Sequence, residues 1–286
     1  MKNESRIGTG SSCIVSTELA NYLTIMTVTY SDLKINLGKL GLSKNLVIAH
    51  ASLKAFGEIE GGPETMLNAL LDSVRGVVMP TFTYKTMINP EIGPPKNGIT
   101  YGAETDLNKM AEPFYPDMPA DKMMGILPET LRKHPKAKRS SHPIQSFAGI
   151  HADAILNTQT IYNPLAPIGA LADQDGWVLL LGVDHRVNTS IHYAEKLGGR
   201  LQFIRWAMLQ DRIVECPGFP GDSEGFNAVE LFVEKYTRRV HIGETLIRAV
   251  HLKSLINAVV DQLKENPFAF LCQRKDCERC TAVRWS

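Results

Sequence analysis

Residues 45–83 read NLVIAHASLKAFGEIEGGPETMLNALLDSVRGVVMPTFT, two short apolar runs on either side of a helical pattern. The runs NLVIAH (45–50) and GVVMPTFT (76–83) are rich in branched residues, which suit a pleated strand. Between them, GGPETMLNALLDSV (61–74) opens with a Gly-Gly turn and a proline at the first helical position, then becomes amphipathic. Parallel neighbours need a crossover connection, so strand, helix and strand in this order predict a βαβ unit.

Working outward, YSDLKINLGKLGL (30–42) has apolar residues at helical spacing behind a Ser-Asp start. GWVLLLGV (176–183) is the clearest buried strand, and a polar loop carries it into NTSIHYAEKLGG (188–199), a helical pattern. Further helices are expected at 122–133, near 225–237 and near 244–264, with a strand at QFIRWAML (202–209). Residues 87–121 are rich in proline and glycine, and a loop of that length inside a compact domain is usually functional. These features predict an α/β fold: one domain with a mixed or parallel central sheet flanked by helices, carrying a long lid-like insertion. The expected organisation is a flexible extension over 1–29, the main domain over 30–271 and a cysteine-rich tail over 272–286.

Composition narrows the function classes. The 286 residues include 31 basic and 30 acidic ones, a net charge of +1, which argues against a general nucleic-acid binder. At 44% hydrophobic and 21% charged, the chain can build a substantial core. No run approaches the length needed to span a bilayer, so no membrane partner is expected. The first 22 residues lack a continuous apolar core, and a cytoplasmic location is the expectation.

Several residues could carry chemistry. His192 and Glu195 lie three apart on one helical face, where the carboxylate can orient the imidazole as a general base. A surface ion pair is the plainer alternative, but the pair follows the strongest strand, where α/β sheets place their crevices. His50 ends a strand in the same way. Pro143 forces His142 into an extended conformation, beside Arg139, Ser140 and Ser141. The turn into GEIEGGPET could offer helix N–H groups to a phosphate, although most such turns only start a helix. Cys272, Cys277 and Cys280 have the spacing C-x4-C-x2-C, and Cys216 in ECPG could add a fourth thiolate to make a closed structural zinc site. Plain free thiols are the alternative. The chain has no H-E-x-x-H helix, no G-x-S-x-G elbow and no Walker loop.

Four stretches in order resemble the aminoglycoside 3-N-acetyltransferase family, the antibiotic N-acetyltransferases. They are VIAHASLKAFGEIEGGPETMLNALL (47–71), GVVMPTFT (76–83), RSSHPIQSFAGIHA (139–152) and LLLGVDHRVNTSIHYAE (179–195), and the likeness runs over residues 30–210. The resemblance implies an acetyl-CoA-dependent N-acetyltransferase acting on a small amine by direct attack, with His192 as general base and Glu195 as its acidic partner. It also implies that acetyl-CoA is lined by His50, Ala51, Ser52, Leu53 and Phe56, by Thr81, Phe82 and Thr83, and by Arg139, Ser140, Ser141, His142, Pro143 and Ser146. Many members carry Asp-Ser before the Asn-Thr, where this chain has Arg186 and Val187, so the identity of the amine is left open. Two other classes fit fewer residues: a zinc-dependent hydrolase using the histidines, and a non-catalytic CoA- or metabolite-binding member of the fold.

Overall fold

The structure is a computed structural model that describes residues 27–103 and 105–286. Strand β1 (Leu46–Ala51) lies parallel to β2 (Gly76–Pro80), with Val47 opposite Val77. The crossover between them is helix α2 (Gly62–Leu71), whose Pro63 sits in the first turn. The βαβ unit expected from residues 45–83 is therefore present. Helix α1 (Tyr30–Lys39) precedes it and starts with a capping box between Thr29 and Asp32.

The remaining strands are β3 (Met87–Ile88), β4 (Lys138–Arg139), β5 (Phe147–Ile150), β6 (Trp177–Leu181), β7 (Phe203–Met208), β8 (Ile213–Phe219), β9 (Thr237–Ile242) and β10 (Thr245–His251). Seven form one mixed sheet in the order β4-β5-β2-β1-β6-β10-β9, and β3-β7-β8 form a second, antiparallel one. The centre of the large sheet, β2-β1-β6, is parallel, while β5 and β10 flank it antiparallel. Helices α3 (Thr105–Met110), α4 (Ile126–Lys133), α5 (Asp153–Leu156), α6 (Ala166–Asp173), α7 (Thr189–Leu197), α8 (Glu230–Val233), α9 (Leu252–Glu265) and α10 (Glu278–Arg284) complete the chain.

A parallel strand covered on both faces reads as a continuous apolar run, which explains LVIA and WVLLL. Along β1, Leu46 and Ile48 enter the core shared with α6, α7 and α9, while Val47 and Ala49 enter the core under α1, α2 and α4. From β1 the chain crosses to β2 on one side, and the next parallel strand, β6, lies on the other side. Such a reversal opens a crevice at the carboxyl ends of the strands. Here that point lies beyond Ala51 and Leu181, which are opposite each other.

Several expectations change in detail. Residues 245–251 were expected in a helix but form β10, which pairs antiparallel with β6 and β9 before α9 begins at Leu252. The helix expected near 225–237 breaks into 3-10 turns around the four-residue α8. Residues 87–121 are not one structureless loop: they contain β3, paired with β7, and α3. The tail is continuous with the domain, since Cys272, Cys277, Cys280 and Val283 pack with Phe203 and Phe219. Of the extension expected over 1–29, residues 1–26 lie outside the described residues, while Val28 bridges to Ile59 and Thr29 caps α1. No helix among the described residues is long and apolar enough to cross a membrane.

Gly182 turns the chain out of β6 towards the crevice with φ +67°, and a Cβ there would lie 2.6 Å from the Ala55 Cβ and 3.0 Å from the Thr245 Cγ2. Gly182→Ala should therefore destabilise the fold by about 1–3 kcal/mol through overpacking and backbone strain. Urea denaturation checks this, and an unchanged midpoint would contradict the packing described.

Candidate active site

A cavity of about 1150 Å³ opens at the carboxyl ends of β1, β2 and β6, and its walls include His50, Ala51, Phe82, Asn188 and His192. Asn188 starts α7, its side chain accepting from the Ser190 N–H at 3.1 Å. The helix ends in a Schellman turn. Gly199 takes φ +81° and bonds back to the Lys196 carbonyl, and the Arg200 N–H reaches the Glu195 carbonyl at 2.9 Å. The segment EKLGGR thus folds Arg200 back onto the face that carries Glu195.

The Glu195 carboxylate is 1% exposed and lies between two partners. Its Oε2 is 2.9 Å from His192 Nδ1, and its Oε1 accepts from Arg200 Nη1 at 2.5 Å. Arg200 Nη2 also donates to the carbonyls of Pro267 and Ala269, at 2.6 and 2.7 Å. A carboxylate paired with a guanidinium can only accept, so the His192 proton belongs on Nδ1. The Nε2 lone pair is then free for a ligand in the cavity. The edge-to-face contact with Phe226, at 4.7 Å between centroids, fixes the ring plane further. The alternative of an exposed surface pair does not hold.

Arg186 lies on the cavity wall, but it is not a bare cation. Its Nε and Nη2 donate to Asp184 Oδ2 at 3.0 and 2.8 Å. Burial works against ionisation of Asp184, yet hydrogen bonds from Arg186 and Asn227 hold its carboxyl down at about 2. Two buried histidines are kept neutral. Burial, reinforced by nearby His185, lowers His50 to about 3, and burial lowers His142 to about 4. His142 Nδ1 accepts from the Ile144 and Gln145 N–H groups at 3.1 and 3.0 Å, a local turn rather than an open ligand.

The residues expected to line acetyl-CoA divide into three groups. His50, Ala51 and Phe82 face the cavity. Ser52, Leu53, Phe56, Thr81 and Thr83 are not among its walls: Phe56 is in the core, and Thr83 Oγ1 donates to the Pro143 carbonyl at 2.6 Å. Arg139, Ser140 and Ser141 border a separate hollow of about 210 Å³, and His142, Pro143 and Ser146 line neither space. The reason is hydrogen bonding. Arg139 donates to Ser146 Oγ at 3.0 Å and to the Thr81 carbonyl at 2.7 Å, which consumes this motif in holding β5 to the segment after β2.

The cysteines also differ from expectation. Cys272, Cys277 and Cys280 come together, but their fourth neighbour is Asp222, all four ligand atoms lying within 4.8 Å of one another. Cys216 is buried elsewhere in the same apolar cluster, and burial pushes its thiol up to about 12. Among the described residues, this is the one group of three or more histidine, cysteine or acidic side chains whose ligand atoms lie close enough to share an ion, and it contains no histidine. Residue-by-residue reading missed Arg200, Asp222 and the wall residues Tyr84, Arg205, Glu278 and Arg279. Only Arg200 had a local signal, the Gly-Gly stop just before it.

Residues 48–264 match the family described as aminoglycoside 3-N-acetyltransferase. Aminoglycoside N(3)-acetyltransferase VII of Streptomyces paromomycinus is 36% identical over 182 residues, 59% of this chain and 61% of the relative. The aligned part thus spans about three fifths of that relative's length. The apoenzyme structure of aminoglycoside acetyltransferase AAC(3)-IVa superposes with a TM-score of 0.74 at 25% identity, covering 91% of this chain and 98% of the other. A structure of AAC-IIIb in binary complex with CoASH shares the fold, with a TM-score of 0.67 at 22% identity over 84% of this chain and 97% of that one.

His50 and His142 tie stability to pH. Both are neutral in the fold, whereas the unfolded chain takes up protons below about 6.5, so the stability present above that value is lost as pH falls towards 4. Going from pH 7 to 5 should cost about 2 kcal/mol for each ring. Urea midpoints should drop accordingly, and His142→Asn, whose side chain can still accept from the same turn, should show a shallower drop. A flat profile in the unaltered protein would contradict the burial of these rings.

Proposed function

Because the chain belongs to the aminoglycoside 3-N-acetyltransferase family, we propose that it moves the acetyl group of acetyl-CoA onto an amino group of a small acceptor. The observation that carries this reading is His192, held from behind by Glu195 and Arg200 with its second ring nitrogen free at the cavity wall. At about 1150 Å³ the space exceeds the usual range of roughly 300–1,000 Å³ for a single small ligand, which suits two substrates meeting there. Lys85, Arg205 and Arg279 supply cationic walls suited to the phosphates of acetyl-CoA. Asp121 and Glu278 supply carboxylates suited to ammonium groups of an acceptor. The relatives' names point to an aminoglycoside as the first acceptor to test, and the closure of Asp184 onto Arg186 lowers the repulsion that Arg186 would otherwise present.

In this reading the acceptor amine attacks the thioester carbonyl directly. His192 Nε2 takes the proton that the nitrogen must lose, and Glu195 stabilises the imidazolium that forms. The tetrahedral intermediate collapses with cleavage of the C–S bond, the acetyl group stays on nitrogen, and the CoA sulfur leaves and takes up a proton. No side-chain nucleophile takes part. Cys216 is buried with its thiol raised, the opposite of an activated cysteine.

Thiol release from acetyl-CoA across a panel of amines that includes aminoglycosides tests the activity. With the best acceptor, His192→Ala should lower kcat by about 10²–10⁴-fold with little change in KM for acetyl-CoA. Glu195→Gln should lower it less, because the amide still holds the ring by a hydrogen bond but no longer stabilises the imidazolium by charge. Acetyl-CoA binding without turnover on any amine would leave a CoA-binding protein, and full turnover in His192→Ala would end the assignment of the base.

A further inference from the structure

The acetyl-transfer reading leaves unused the cluster that joins the end of the chain to the loop after β8. Asp222 comes from that loop, Cys272 from the segment after α9, and Cys277 and Cys280 from the start of α10. All four are buried, and their ligand atoms lie within 4.8 Å of one another. Four-coordinate zinc has Zn–S bonds of about 2.3 Å, which places its sulfur ligands roughly 3.8 Å apart. The Cys272 and Cys280 sulfurs are already 3.3 Å apart, so ligation needs adjustments of about an ångström, not a refolding. The surrounding charge agrees. Three thiolates and a carboxylate overcompensate a divalent ion, and Arg274 and Arg279 stand 3.0 and 3.5 Å from the Asp222 carboxylate to offset the excess.

We propose that Asp222, Cys272, Cys277 and Cys280 form a closed structural zinc site that pins α10 to the cavity wall. Helix α10 carries Glu278 and Arg279 into that wall. Arg279 Nη1 donates to the Gly221 carbonyl at 3.1 Å, next to the proposed ligand Asp222. Gly98 packs so closely against α10 that a Cβ there would lie 2.9 Å from the Arg279 Cγ, and Thr100 donates its hydroxyl hydrogen to Glu278. Arg284 closes the knuckle by donating to the Cys272 carbonyl at 2.6 Å. The ion thus holds the segment around Gly98 and Thr100 as well as the helix. Its role is architectural, and it stands whether or not the cavity transfers acetyl groups.

Elemental analysis of the full chain, purified under reducing conditions, should find about one zinc per chain. Cys277→Ser and Asp222→Ala should lose it, while Cys216→Ser should keep it. Where a variant fails to fold, the unaltered protein still decides: after chelation, added zinc should protect three of its five thiols from alkylation and restore the melting temperature. Chain that takes up no zinc and gains no thiol protection would overturn the proposal. So would zinc lost in Cys216→Ser but retained in Asp222→Ala, or a Cys272–Cys280 disulfide in the freshly purified protein.

Discussion

A carboxylate that is 1% exposed needs its counter-charge inside the protein, and Glu195 meets that need with Arg200 on one oxygen and His192 on the other. Breaking such a buried pair costs about 3–5 kcal/mol, because the remaining charge stays out of water without a partner. The constraint reaches beyond the pair. Arg200 must be returned to the helix face by the Schellman turn at Gly198 and Gly199, and its other nitrogen binds the carbonyls of Pro267 and Ala269 beyond α9. Helix α7, the end of α9 and the imidazole therefore form one positioned unit. The ring orientation that chemistry would use follows from the satisfaction of a buried charge.

The cavity in front of that unit has two differently built sides. One is the carboxyl edge of the parallel strands, where chain order reverses about β1 and leaves room beyond Ala51 and Leu181. Its backbone is fixed by a sheet buried on both faces, so it forms a rigid floor. The other side is assembled from residues around 87–100, the small sheet and α10, elements outside the large sheet. Asn97 ties the loop to β7 by accepting from the Ile204 N–H at 2.8 Å and donating to the Ile204 carbonyl at 3.0 Å.

Much of the first side was legible in the sequence. Branched apolar runs, the Gly-Gly-Pro helix start and the i, i+3 spacing of His192 and Glu195 are local signals, and local signals survive folding. Where the fold differs from the local reading, the decisive partner was distant. The resemblance puts RSSHP along the acetyl-CoA cleft, whereas in the fold Arg139 spends donors on Thr81 and Ser146. Cys216 has the right chemistry for a fourth ligand, yet Asp222, six residues later, takes that place. Residues 245–251 have enough apolar character for a helix, and only pairing with β6 and β9 selects the strand. Glu278 and Arg279 belong to a tail with no visible link to a cavity built around 50 and 192.

The central claim is that Glu195 holds the His192 proton on Nδ1 and leaves Nε2 as the base. Long-range proton–nitrogen correlation spectra of the histidine side chains test it directly, with His192→Gln used to assign the signal. Recorded at a pH where the ring is neutral, the spectrum should show His192 as the Nδ1–H tautomer, with Nε2 unprotonated. A neutral ring carrying its proton on Nε2 would contradict the account, because Nδ1 would then face the Glu195 carboxylate without a hydrogen and the nitrogen at the cavity could not accept a proton.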